Sequence, residues 1–267
     1  MIATLNEREN IRELINRIHA LSIPPFEIVV VDDGSTDGTR ESLLEMASGD
    51  ERIQLIFHDI RRTLIPAQIE GIAECRGRVI VIMDADLQHP PEAIPSLIDP
   101  IYSGADLVVG TRYITGGSTG NRPAFRAVVS HGAEILAKLM IPETRKVSDT
   151  LSGFFAFNRE MYLPLRPDSR GFKLILPLHV MRGRRRVVEV PYVFGDRNYG
   201  ASKIVHDTSF MFVFLRELLV AKRLQMYLGR HHSEPQSLNR STAVAHPTSP
   251  NPSRATETSS DPQTLQN

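Results

Sequence analysis

Over positions 1–206, short runs rich in β-branched residues alternate with segments whose apolar positions recur at helical spacing. That pattern predicts an α/β domain on a largely parallel sheet. The clear strands are Glu27–Val31, Arg78–Met83 and Asp106–Gly110, with later ones over Gly153–Phe157 and Val187–Val190. Ile11, Leu14, Ile15, Ile18 and Leu21 share one face of a first helix, and Asn6 followed by Glu9 reads as a capping box at its start. Pro90-Pro91-Glu92 opens another helix, because proline suits a first turn. A third is predicted between Arg122 and Met140.

After Lys203 the pattern changes. Asp207–Leu228 reads as one helix with a wide apolar surface that includes Phe210, Phe212, Phe214, Leu218 and Leu219. From His231 to Asn267 there are five Pro, seven Ser, five Thr and no Phe, Tyr or Trp. Such a segment cannot bury enough apolar surface to offset its ordering entropy, so it is predicted to be disordered. The organisation expected is a folded domain over 1–206, an apolar or interfacial helix over 207–230 and a polar tail over 231–267.

Charge narrows the partners. Lys plus Arg number 31 and Asp plus Glu number 31, which leaves no global field to gather nucleic acid. The strongest basic run, Arg182, Arg184, Arg185 and Arg186, is open between a face for anionic lipid and a solvated hairpin. The single cysteine, Cys75, forms no intrachain disulfide and has no evident basic partner, so a reducing compartment and an inert thiol are expected. No window reaches the roughly 18 uncharged apolar residues that span a bilayer, and the first residues lack a signal-peptide pattern. A cytoplasmic location follows as an expectation.

Two acidic clusters stand directly after strands: Asp32-Asp33-Gly34-Ser35-Thr36-Asp37-Gly38, and Asp84-Ala85-Asp86-Leu87-Gln88. In open α/β sheets ligands bind beyond the carboxyl ends of the strands, so both clusters should line one crevice. Carboxylates at alternate positions, with a carboxamide two further on, are hard oxygen ligands suited to Mg²⁺ or Mn²⁺. Asp37 is open between a ligand and a helix cap. Gly34–Gly38 is not a P-loop. For His89, before the proline pair, a place at a helix start is favoured over ligation.

Thr4-Leu5-Asn6-Glu7, Val30-Val31-Asp32-Asp33-Gly34-Ser35 and Asp84-Ala85-Asp86-Leu87-Gln88-His89-Pro90 together resemble the signature of family 2 glycosyltransferases with the GT-A fold. More narrowly the chain resembles polyprenyl-phosphate (dolichyl-phosphate) mannosyltransferases. Supporting stretches are Gly110-Thr111-Arg112-Tyr113, Asp149-Thr150-Leu151-Ser152-Gly153-Phe154-Phe155, Gly171-Phe172-Lys173 and Arg197-Asn198-Tyr199-Gly200-Ala201-Ser202-Lys203. The resemblance covers residues 2–206. It implies an open, mostly parallel, Rossmann-like sheet flanked by helices, with a C-terminal apolar helix and a disordered tail.

The same resemblance implies roles. Asp84, Asp86 and Gln88 lie around the divalent metal, with Asp86 and Gln88 as its direct ligands. Asp84, Asp86 and Arg197 carry catalysis. Ala3, Leu5, Glu7, Val31, Asp33, Asp84, Ala85, Lys173, Arg197 and Lys203 contact the nucleotide-sugar donor. Arg112, Arg126 and Ser130 receive the lipid phosphate. Guanidinium groups suit phosphate recognition and lysines act as point charges, so these roles agree with charge logic.

The implied reaction moves a hexose, foremost mannose from GDP-mannose, onto polyprenyl phosphate with inversion, at the cytoplasmic face of a membrane that the protein meets peripherally. UDP-glucose is the alternative donor. A nucleotidyltransferase and a non-catalytic sugar-nucleotide-binding module are the rival classes. Two departures from the family stand out. Only Met1 and Ile2 precede Ala3, which replaces a family proline, so either the true start lies upstream or the first strand is short. Arg61–Ala67 departs from a glycine-rich form common in the wider family.

Overall fold

β1 (Ile2–Thr4), β2 (Ile28–Asp32), β3 (Ile53–Phe57), β4 (Val79–Asp84), β5 (Leu107–Thr111), β6 (Phe155–Asn158) and β7 (Val187–Pro191) form one sheet. Its order is β3-β2-β1-β4-β6-β5-β7. All neighbours are parallel except β6, which runs against both β4 and β5. In the computed structural model the described residues are 1–120, 124–161 and 185–195, with the positions 215, 216, 218, 219 and 222.

β2 and β5 are buried at every position, which explains why they read as unbroken Val/Ile/Leu runs rather than alternating ones. Around the sheet lie helices α1 (Arg8–His19), α2 (Thr39–Ser48), α3 (Leu64–Glu74), α4 (Ile94–Tyr102) and α5 (Ala124–Met140), with short 3₁₀ turns between elements. On one face, Ile11, Leu14 and Ile15 of α1 and Leu97 and Ile101 of α4 pack with Ile2, Val30 and Val108. On the other, Ile65, Ile69 and Ile72 of α3 pack with Val29, Ile82, Val109 and Phe157. Each such side chain contributes about 1.5–3 kcal/mol of burial.

α3 carries two residues that ordinarily argue against a helix. Pro66 falls in its first turn, where the missing N–H has no intrahelical acceptor. Gly71 is needed for close approach: a Cβ there would lie 2.9 Å from Val31 Cγ2 and closer still to Met1 Cε. β3 and α2 went unpredicted. The segment opened by the proline pair begins as a 3₁₀ turn over Pro91–Ala93 and continues into α4.

The start of α1 differs from the capping-box reading. Its N-cap is Glu7, and Glu9 stands beside Arg8 on the surface. Asn6 sits at φ +50°, donates its N–H to Ser35 Oγ at 2.8 Å, and accepts the Thr36 N–H at 2.8 Å. The cap comes from Asp37 instead. Its Oδ2 accepts the Arg8 N–H at 3.2 Å and its Oδ1 accepts the Thr39 N–H at 3.0 Å, so one carboxylate ties the first turns of α1 and α2.

Positions 215, 216, 218, 219 and 222 are helical, and Leu218 is buried against Ala133, Ala137 and Ile141. The rest of the predicted 207–228 helix and the 231–267 tail lie outside the described residues, as do Arg182 and Arg184. Arg186 is pinned at the start of β7, its amide on Asp106 Oδ2 at 2.8 Å and its guanidinium on the Ser103 carbonyl at 2.9 Å. Among the described residues no helix is long and apolar enough to cross a membrane.

Candidate active site

The strand order itself brings the two acidic clusters together. Register pairs Ala3 with Val31 on one side and with Asp84 on the other, and Thr4 with Asp32. Ala3, Val31 and Asp84 therefore stand side by side at the carboxyl end of β2, β1 and β4, where open α/β sheets bind ligands.

Asp33 follows β2 and donates its amide to the Thr4 carbonyl at 2.9 Å. Its carboxylate is held by the segment that follows β3: Arg62 N–H at 2.7 Å, Thr63 N–H at 2.9 Å and His58 Nδ1 at 2.9 Å. The other nitrogen of His58 lies 2.8 Å from Glu70 Oε2, which also accepts the Arg62 guanidinium at 2.9 Å. Asp33 thus shapes this edge of the crevice by fastening the 58–63 loop. Thr63 in that loop has φ +80° and ψ 167°, a region that suits glycine alone. The departure of Arg61–Ala67 from a glycine-rich form is therefore a strained backbone, held by Asp33. Asp32 beside it is buried, which raises its pKa despite hydrogen bonds from the Ser35 amide and hydroxyl.

Glu7 is buried: its amide donates to Thr39 Oγ1 at 3.0 Å and its carboxylate accepts Asn10 Nδ2 at 2.6 Å. Leu5 and Ala3 are half-buried on the way to it.

The second cluster is a tight turn after β4. The Asp84 amide donates to His89 Nδ1 at 3.0 Å, which puts the ring proton on Nε2. The His89 ring is buried, stacked on Phe154 at 5.1 Å, with Tyr192 and Phe194 edge-on at 5.7 and 6.0 Å. Its Nδ1 is thus taken up by the backbone of the turn, and the 3₁₀ turn that follows is capped at Pro90. Asp86 Oδ1 accepts the Gln88 amide at 3.2 Å, Ala85 is buried, and Leu87 between Asp86 and Gln88 is buried at φ +62°. A left-handed leucine is uncommon and costs about 1–3 kcal/mol, an expense that such turns bear at functional sites. Gly195, after β7, donates to the Gln88 carbonyl at 2.9 Å, and the Gln88 side-chain amide donates to the Gly195 carbonyl at 3.4 Å.

Whether this turn suits a divalent cation can be judged from its donors. Among the described residues no three His, Cys, Asp or Glu side chains form a ready cage. A Mg²⁺-like ion asks for less: one or two carboxylates, with water and substrate phosphate completing its shell. Asp84 and Asp86, with the Gln88 amide, fit that requirement.

Arg112 follows β5 and is 6% exposed. Its Nε donates to Asp149 Oδ2 at 2.6 Å and its Nη2 to Asp149 Oδ1 at 2.7 Å, a bidentate pair joined by its own amide at 3.3 Å. The guanidinium lies 5.3 Å from the ring centroids of both Tyr113 and Phe194. Burial would lower the Arg112 pKa, but Asp149 outweighs that and holds it above its ordinary value. Burial also raises the Tyr192 phenol. Asp149 reaches this place because β6 is reversed, so the loop before it, rather than after it, lies at the carboxyl end of the parallel strands.

Ser130 is half-buried midway along α5, Arg126 lies on the first turn of that helix, and no hydrogen bond joins Ser130 to Arg112. Lys173, Arg197 and Lys203 lie outside the described residues. His58, Glu70, Asp149, Phe194 and Gly195 were not read as site residues. Asp149 sits inside a quoted motif, but its partner is 37 positions away. Nothing local signals that pairing.

The sheet and its two acidic turns agree with a family assignment made on sequence. Residues 1–165 match the family described as glycosyl transferase family 2, and the chain belongs to that family. A dolichol-phosphate mannosyltransferase of Pyrococcus furiosus is 41% identical over 219 residues, covering 82% of this chain and 61% of that protein. A dolichol-phosphate mannosyltransferase of Saccharomyces cerevisiae is 34% identical over 83% of this chain and 86% of its own length. A polyprenol monophosphomannose synthase of Mycolicibacterium smegmatis is 35% identical over 76% and 79% respectively. This chain therefore spans about three fifths of the archaeal relative and most of the others. In fold, it superposes on a glucosyl-3-phosphoglycerate synthase from Mycobacterium tuberculosis, solved with Mn²⁺, UDP-glucose and phosphoglyceric acid. The TM-score is 0.59 at 22% identity, over 83% of this chain and 78% of that one.

Proposed function

We propose that the protein transfers mannose from GDP-mannose to a polyprenyl (dolichyl) phosphate, with inversion at the anomeric carbon, at the cytoplasmic face of a membrane it meets peripherally. The observation that carries the mannose transfer is the set of relatives named dolichol-phosphate mannosyltransferase at 34–41% identity over more than four fifths of the chain; the donor, the inversion and the membrane face rest on the resemblance of the sequence motifs.

In this reading, the crevice at Ala3, Leu5, Glu7, Val31 and Asp33 takes the nucleotide, with Ala85, Lys173, Arg197 and Lys203 toward its diphosphate and sugar. Asp84, Asp86 and Gln88 hold Mg²⁺ or Mn²⁺. When bound, that ion supplies Lewis-acid neutralisation of the departing diphosphate. Arg197 and Lys203 add fixed positive charge as the anomeric bond breaks. The acceptor is a phosphate monoester whose second pKa is about 6, so it arrives mostly dianionic and needs positioning rather than a general base. Arg112, Arg126 and Ser130 provide that positioning.

UDP-glucose is kept as a second donor because the superposed synthase was solved with it and with Mn²⁺. The test is a donor panel: purified protein, polyprenyl phosphate, Mn²⁺ or Mg²⁺, and labelled GDP-mannose, UDP-glucose or UDP-N-acetylglucosamine, with lipid-extractable label counted. Transfer from GDP-mannose alone, lost on chelation, is the expected result. Label from UDP-glucose alone moves the assignment to a glucosyltransferase, and none from any donor overturns it.

A further inference from the structure

Of the five guanidinium N–H donors of Arg112, the described hydrogen bonds occupy two, on Nε and Nη2, and both go to Asp149. The Nη1 edge has no hydrogen-bond partner among the described residues. Asp149 is itself 1% exposed on its side chain, and its Oδ2 also accepts the Arg112 amide, so the acid is anchored to backbone as well as to the fork. Phe194 covers the guanidinium at 5.3 Å, and the residue after it, Gly195, is hydrogen-bonded to Gln88 of the Asp84–Gln88 turn. His89 of that turn packs on Phe194 and Phe154. The arginine is therefore fixed in place relative to the acidic turn by a continuous set of contacts.

We infer that Asp149 is a positioning residue: it grips Arg112 by Nε and Nη2 so that the Nη1 edge is presented, already oriented, to the phosphate of the acceptor. This rests on Arg112 receiving that phosphate, as proposed above. A long side chain otherwise loses considerable rotamer freedom on meeting its ligand. Here that ordering is complete before the acceptor arrives, and the negative charge of Asp149 remains in the pair. The acceptor phosphate adds to the fork without displacing the acid.

Asp149→Asn keeps the shape of the side chain and removes its charge. The expected result is a rise of about tenfold or more in the KM for polyprenyl phosphate, with the KM for the sugar nucleotide changed less than twofold. Equal rises in both constants, or a lowered melting temperature with both constants unchanged, would reduce Asp149 to a structural role and overturn the inference. Should that variant fail to fold, the wild-type protein decides the question by ¹⁵N NMR of its arginine side chains with farnesyl monophosphate added. The Arg112 Nη signals should shift while its Nε–H stays slow to exchange, still bonded to Asp149. An Nε–H that becomes exposed would mean the phosphate replaces Asp149, against the inference. No Arg112 response at all, in protein that still transfers sugar, would remove Arg112 from the acceptor site and the inference with it. Absence of transfer in the wild type is the separate failure of the proposed reaction.

Discussion

Gly195 gives its amide to the Gln88 carbonyl at 2.9 Å and takes the Gln88 side-chain amide on its own carbonyl at 3.4 Å. Two stretches 107 positions apart are thereby joined at the acidic turn. A Cβ at position 195 would lie 3.0 Å from the Leu87 carbonyl oxygen, and backbone there has little room to yield. Gly195→Ala should therefore displace the Leu87–Gln88 peptide and lower kcat about tenfold, roughly 1.4 kcal/mol in barrier. Steady-state kinetics with saturating metal check this; full activity would show the turn to be tolerant.

Asp86 is the buried carboxylate of the turn, with Oδ1 receiving the Gln88 amide. Asp86→Asn preserves size and that acceptor but discards the charge that suits a divalent ion. Turnover should fall by about 10²-fold or more, the scale of losing one preorganised electrostatic contact. The melting temperature without metal should scarcely change. A titration of activity against Mn²⁺ with both proteins measures it, and near-normal turnover would remove Asp86 from the metal site.

Thr63 sits where only glycine is comfortable, and its amide is what Asp33 uses. Thr63→Gly keeps that amide and relieves strain worth about 1–3 kcal/mol, less roughly 0.5–1 kcal/mol for the freer unfolded chain. A net gain of about 1 kcal/mol should raise Tm by roughly 2–4 °C. Calorimetry would decide; a lower Tm would mean that the threonine side chain contributes more than its backbone costs.

Glu27, just before β2, receives the Arg76 and Gly77 amides at 2.6 and 2.8 Å, with Arg76 Nε and Gln54 Nε2 on its second oxygen. Burial would raise its pKa, yet these donors together hold it below the ordinary 4.5. A depressed carboxylate stabilises the fold above its unfolded pKa and loses that contribution as pH falls through the folded one. Glu27→Gln should cost about 1 kcal/mol at pH 7, and the gap in Tm between variant and wild type should close as pH drops below 4.5. An equal gap at pH 7 and pH 3 would rule out the charge as its source.

Strands that are buried on both faces announced themselves: Val29–Val31 and Leu107–Val109 are continuous apolar runs, and the observed β2 and β5 lie within a residue of the predicted spans. α1 was equally plain, since its buried Ile11, Leu14, Ile15 and Ile18 keep strict spacing. β3 was missed because it is only half-buried beyond Ile53, at the sheet edge. α3 accommodates Pro66 and Gly71, residues that ordinarily argue against a helix and are placed where a first turn and a close strand tolerate or need them. In the site, the acidic turns were legible because their residues are contiguous. The braces were not: His58 to Asp33 and Asp149 to Arg112 are pairings across the fold, which a single sequence does not display.

The reversed strand β6 stands between β4 and β5, with Val79 opposite Asn158. During synthesis the growing chain has β4 finished long before Phe155–Asn158 leaves the ribosome. Until then β4 shows an open strand edge beside an apolar face, the kind of surface on which unfinished chains stick together. Arg112 likewise waits for Asp149, and the acidic turn waits for Gly195. A nascent chain halted between Asn158 and β7 would carry both acidic clusters and lack the Gly195 contact that fixes the second.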